Sequence, residues 1–156
     1  MYVAIFMGQG GWLFSMGCYR IRDKIRAIGA AAEVFRYVDV APAASQIAAY
    51  RKAGHKIALM GYSLGNTTAS YIQTHTAIDL LLCVGMSELA GPNNHAVNHA
   101  MTRRSVLWAA PGVLSRAGKQ LGFDVIHEVQ VPHLWLDFDD GVTNGLLSEV
   151  KQCLTS

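Results

Sequence analysis

Short apolar runs alternate with helix-spaced stretches along the whole chain. Tyr2–Met7 is a continuous apolar run that stops at Gly8-Gln9-Gly10-Gly11. Residues 15–28 then set Met16, Tyr19, Ile21, Ile25 and Ile28 near the spacing of an amphipathic helix, with Gly29 as its stop. Residues 33–40 predict a second strand, and Pro42 opens an alanine-rich helix over 43–53 that ends at Gly54. Residues 56–60 predict a third strand, and 66–75 the helix after it. The apolar runs 80–86 and 105–110 and the stretch 124–131 predict three more strands. Residues 141–154 predict a final helix with Val142, Leu146, Leu147, Val150 and Leu154 turned inward. Strands that read as unbroken apolar runs suit a parallel sheet covered on both faces. The expectation is an α/β fold, a three-layer sandwich with a mostly parallel sheet of about six strands, in a single domain over residues 1–156.

Two stretches, 88–102 and 111–122, stand where crossover helices are expected. The first, rich in Gly, Pro, Asn and His, reads mostly as loop. Loops at the carboxyl ends of strands in an open α/β sheet line the ligand crevice.

Composition narrows the classes. Hydrophobic residues make up 51% of the 156 and charged ones 15%, which excludes intrinsic disorder. A net charge of +2, evenly spread, is no footprint for nucleic acid. Cys18, Cys83 and Cys153 are odd in number and lack paired spacing, which points to a reducing compartment, hence a cytoplasmic location, and away from a disulfide framework. The apolar N-terminus has no basic leader region and breaks at Gly8, unlike a signal peptide. The run 78–86 falls far short of the roughly 20 residues that span a bilayer.

Gly61-Tyr62-Ser63-Leu64-Gly65 matches the G-x-S-x-G nucleophile elbow, and it lies between a predicted strand and a predicted helix. Such a turn holds serine on a strained backbone, with small residues two before and two after so that neighbouring backbone can pass. The bland reading is a glycine turn carrying a solvated serine. Gly8-Gln9-Gly10-Gly11 ends the first strand. As a dinucleotide fingerprint it fails, because Leu13 occupies the third glycine position. As an oxyanion-hole loop it would offer the Gln9 amide, beside the Leu64 amide, to a substrate oxygen.

Among six histidines, His133 follows the last strand and precedes the final helix, at the end of the sheet where Ser63 should emerge. His55 sits at a strand entrance, His75 lies down the elbow helix and His127 is mid-strand. His95 and His99 are four apart but show no third ligand at metal spacing, so no metal is expected.

This succession of strand, glycine loop, strand-helix units, G-Y-S-L-G elbow and C-terminal histidine resembles the α/β-hydrolase superfamily, above all its small lipase-, cutinase- and esterase-like members from bacteria and phages. The resemblance spans nearly the whole chain. It implies a minimal α/β-hydrolase fold without a lid domain and a serine hydrolase that cleaves carboxylic esters without a cofactor. It also implies Ser63 as nucleophile, His133 as general base, and the Gln9 and Leu64 amides as the oxyanion hole. The order of serine before histidine agrees. The superfamily core is usually larger, however, and the loop after residues 105–110, where an acid is expected, holds no carboxylate before Asp124.

The acid must then come from elsewhere. Glu88 follows the strand 80–86 at its carboxyl end and is the first choice, with Asp137 next. Asp124 begins the strand whose other end bears His133, too far away at about 3.3 Å per residue. Asp139 and Asp140 read better as helix-capping residues, and Asp39 could reach only from the far side. A dyad without an acid stays open. Trp12 and Trp135 flank the two proposed site segments and could line an acyl pocket, whereas Trp108 reads as core. Without a lid the pocket should be shallow, favouring short acyl groups or bulky polymer ends. The competing function is a hydrolase-fold binding protein that has lost catalysis. The edge strands of so small a sheet also offer a surface for a homodimer.

Overall fold

The apolar runs become strands, the central four of them buried on both faces. A computed structural model describes residues 1–9, 15–85, 94–111 and 113–156, with 113–115 and 134 by backbone alone. The strands are β1 (Tyr2–Met7), β2 (Ala31–Arg36), β3 (Ile57–Tyr62), β4 (Leu80–Val84), β5 (Ser105–Ala109) and β6 (Val125–Glu128). The helices are α1 (Gly17–Ala27), α2 (Val40–Lys52), α3 (Gly65–His75), α4 (Val113–Gln120) and α5 (Asp140–Thr155). The strands form one sheet in the order β2-β1-β3-β4-β5-β6, and every pairing among the described residues is parallel.

Because side chains alternate along a strand, β1 supplies both layers of core. Val3, Ile5 and Met7 face α1 and α5, where Ile21, Ile25, Val142, Leu146 and Val150 close one core. Tyr2, Ala4 and Phe6 face α2 and α3, where Ala43, Ile47, Ala69 and Ile72 close the other. This is the three-layer α/β arrangement read from the pattern of runs.

Boundaries shift where a polar side chain caps the chain. The second strand ends at Arg36 rather than at residue 40, because the Asp39 carboxylate accepts from the Arg36 N–H at 3.1 Å and pairs with its guanidinium at 2.7 Å. Pro42 does not open α2. It lies in the first turn, which begins at Val40, where a missing N–H costs nothing. The last strand stops at Glu128, and the chain then reaches a short 3-10 turn, His133–Trp135.

The two stretches with no clear helical reading resolve differently. Residues 113–120 do form a helix, and its Gly118 brings the backbone close to Leu107 and Ile126. Residues 94–104 remain irregular. The buried Gln73 of α3 takes over there, donating to the Ala96 carbonyl (2.7 Å) and accepting from Asn98 N–H (2.9 Å) and the Thr102 hydroxyl (3.0 Å). Backbone groups left without a ladder are thus satisfied from a neighbouring helix. Among the described residues no helix is long and apolar enough to cross a membrane.

Candidate active site

Strand order reverses its direction of growth at β1, which lies between β2 and β3, and ligands in such sheets bind outside the carboxyl ends of strands at that point. Two segments emerge there, the turn from β3 into α3 and the loop after β1.

The first carries Ser63. Its φ of 54° makes it the one non-glycine with positive φ among the described residues. A serine held in this region stores about 1–3 kcal/mol, so the surroundings must enforce the conformation. Both flanking glycines show how. A Cβ on Gly61 would lie 2.6 Å from Asn66 Cα, and one on Gly65 would lie 2.0 Å from the Phe6 carbonyl oxygen. The turn is also tied to β4: Ser63 N–H and the Asn66 amide each donate to the Val84 carbonyl at 3.0 Å. Leu64 caps α3, and its own N–H has no hydrogen-bond partner among the described residues. It adds to the positive end of the helix dipole.

The second segment begins at Gly8, where a Cβ would lie 2.8 Å from Ser63 Cβ and 3.3 Å from its Oγ. Only a glycine lets this strand end run flush with the serine, which sets the exposed Gln9 beside it. The Gln9 N–H has no partner among the described residues either. Trp12 lies outside the described residues.

His133 arrives from the far edge of the sheet. Its Nε2 lies 2.9 Å from Ser63 Oγ, a hydrogen bond joining residues that the sequence separates widely. The imidazole passes over the end of β4 at Gly85, where a Cβ would lie 3.0 Å from Nδ1. Burial lowers its pKa below the ordinary histidine value, so the ring is neutral near pH 7 with a lone pair available to a neighbouring hydroxyl.

Tyr62 was only the variable position of the elbow in the sequence, yet it supports His133. Its buried ring stacks on the imidazole with centroids 5.6 Å apart, and its hydroxyl donates to the His133 carbonyl at 2.7 Å. No sequence signal marks this, because an aromatic residue there serves the core equally well. Tyr62→Phe should cost about 1 kcal/mol of stability, measured by urea denaturation.

The carboxylates fall into place one by one. Glu88 lies outside the described residues. Asp124 joins the starts of β5 and β6, accepting from Ser105 N–H (2.7 Å) and its hydroxyl (2.8 Å), at the opposite end of the sheet from His133. Asp39, ahead of α2, is taken up by Arg36, Asp139 caps α5 by accepting from Val142 N–H (2.8 Å), and Asp140 pairs with Arg20 at 3.2 Å. Asp137 is fully buried but makes no hydrogen bond to the imidazole. Among the described residues, then, no carboxylate reaches His133 Nδ1.

The remaining candidates lie elsewhere. His55 sits by the N-terminal amine at 3.3 Å, His75 ends α3 and His127 stacks on Trp108, which is core. His95 packs against Tyr71, while His99 faces Asp124 at 3.7 Å, so the two do not converge. No group of three metal-ligating side chains occurs among the described residues. Trp135 and Phe138, 63% and 40% exposed, set their rings 6.3 Å apart next to the His133 turn. A cleft of about 240 Å³ at the amino-terminal ends of β3 and β4, lined in part by Lys56, Asp79, Arg103 and Arg104, is remote from Ser63.

No protein-family model and no curated protein matches the chain. Solved structures do. The ydeN gene product from B. subtilis is 14% identical, with a TM-score of 0.65 and 99% of each chain covered. Est1E from Butyrivibrio proteoclasticus is 12% identical, with a TM-score of 0.58, over 99% of this chain and 86% of that one. The fold is α/β-hydrolase-like. At these identities the likeness extends to the path of the chain, and the chemistry rests on the residues themselves.

Proposed function

We propose that the protein is a serine hydrolase that cleaves carboxylic esters through an acyl-enzyme intermediate. The observation that carries this reading is the strained Ser63, at φ 54°, with its Oγ 2.9 Å from a neutral imidazole. A serine without a reaction to perform could relax to a cheaper conformation.

Ser63 Oγ adds to the ester carbonyl carbon as its proton passes to His133 Nε2. The carbonyl oxygen becomes an oxyanion held by the Gln9 and Leu64 N–H groups. The carbon–oxygen bond to the alcohol then breaks, and His133 returns the proton to the departing alkoxide. Water repeats the sequence on the acyl-enzyme, leaving the carboxylic acid and free Ser63. Glu88 is assigned as the acid that would orient Nδ1 and stabilise the imidazolium. Trp135 and Phe138 offer an apolar surface to the acyl or alcohol part, and a site without a lid would favour short acyl groups.

A fluorophosphonate probe tests the nucleophile without a guess at the natural acyl group. Intact mass should show one adduct per chain on the wild type and none on a folded Ser63→Ala variant. An unlabelled wild type near neutral pH would favour the alternative, a binding protein built on a hydrolase fold.

A further inference from the structure

We propose that Asp137 is a positioning residue: its ionised carboxylate, seated against the first turn of α1, ties the turn carrying His133 to that helix, and so holds the base in register with Ser63. The proposal rests on the serine-hydrolase reading above.

The contact is intimate. A Cβ on Gly17, the first residue of α1, would lie 2.2 Å from the Asp137 carbonyl oxygen and 2.6 Å from its carboxylate carbon. Only a glycine admits this approach. Asp137 is fully buried, yet neither carboxylate oxygen completes a hydrogen bond. The Gly17, Cys18 and Asp137 amides face the carboxylate and favour its charge, as a helix N-terminus does, and the Arg20 guanidinium adds to this. Burial outweighs them and pushes the pKa up to about 6. The other titratable groups facing it are the Cys18 thiol of α1 and the Tyr62 hydroxyl of β3, both with pKa values raised by burial first and by its charge second.

The turn is fastened on either side of Asp137. Tyr62 holds the His133 carbonyl, while Arg20 of α1 donates to the Phe138 carbonyl at 2.7 Å and the Thr143 hydroxyl at 3.2 Å. Asp137 is the charge between these two fastenings. A carboxylate in such a place does not serve stability. With its folded pKa above the ordinary carboxylate value, its contribution is present at low pH and lost as pH rises through about 6. Packing alone would be served better by a neutral side chain.

Asp137→Asn keeps the shape and removes the charge. At pH 8 its melting temperature should equal or exceed that of the wild type, while fluorophosphonate labelling of Ser63 slows by about tenfold to a hundredfold. In the wild type, the labelling rate should fall below pH 6 with a slope approaching two protons, one for His133 and one for Asp137. The variant should keep a slope of one. NMR titration of the His133 ring gives a reading independent of activity: two steps in the wild type and one in the variant. An unchanged labelling rate, or a single His133 step in the wild type, would overturn the proposal. If the wild type is not labelled at any pH, the hydrolase reading fails. The ring titration then judges the clamp alone, as it does if Asp137→Asn does not fold.

Discussion

His133→Ala should lower kcat/KM for a small activated ester by roughly 10⁴-fold, and Ser63→Ala should reach the same floor. The double variant should be no worse than either single one. The two groups act as a unit: the hydroxyl is nucleophilic only while the imidazole takes its proton, and a base without a nucleophile does nothing. Their 2.9 Å hydrogen bond is the geometric statement of that dependence. Part of the pH dependence follows from the same ring. Burial lowers the His133 pKa, so the neutral form persists at pH 7 and activity is lost as pH falls through values below the ordinary histidine pKa. Steady-state rates from pH 5 to 9, with circular dichroism to confirm folding, check both. Additive losses in the double variant would mean that the two residues work separately.

How much of this was legible in the chain depends on how local each signal is. Strands buried on both faces declare themselves as unbroken apolar runs, so Tyr2–Met7 and its counterparts β3, β4 and β5 could be read directly, and these four set the layer architecture, with β2 and β6 as its partly exposed edges. The elbow was legible because its steric demands are met within five consecutive residues, by Gly61 and Gly65 around Ser63. His133 could be placed near Ser63 because parallel strands bring their carboxyl ends to one edge.

Contacts between distant segments left no such mark. The Gln73 amide that organises residues 94–104 reads in sequence as an ordinary polar helix position. Asp137 and Gly17 specify each other only in three dimensions, so the aspartate read merely as a spare candidate acid. The boundary at Arg36 depended on one side-chain cap, which the apolar pattern through Val40 concealed. Agreement between local pattern and global fold is thus close in the sheet and the elbow, and weakest where side chains from distant segments meet.

Gly65→Ala should destabilise the protein by about 3 kcal/mol or more, enough to remove much of the stability of an ordinary domain. The added methyl would lie 2.0 Å from the Phe6 carbonyl oxygen and 2.6 Å from its carbon, and both belong to the backbone of a central strand. A flexible side chain could swing aside. β1 cannot, because it is hydrogen-bonded to β2 on one side and β3 on the other, so relief must come from displacing α3 and with it the turn that presents Ser63. Gly54→Ala supplies the contrast. Its Cβ would meet nothing within 4 Å, and the cost of φ +81° alone should be about 1 kcal/mol. Urea denaturation of the two variants separates close approach from backbone conformation. If Gly65→Ala were no worse than Gly54→Ala, β1 and α3 would have room to part, and the strain at Ser63 could not be enforced by their packing.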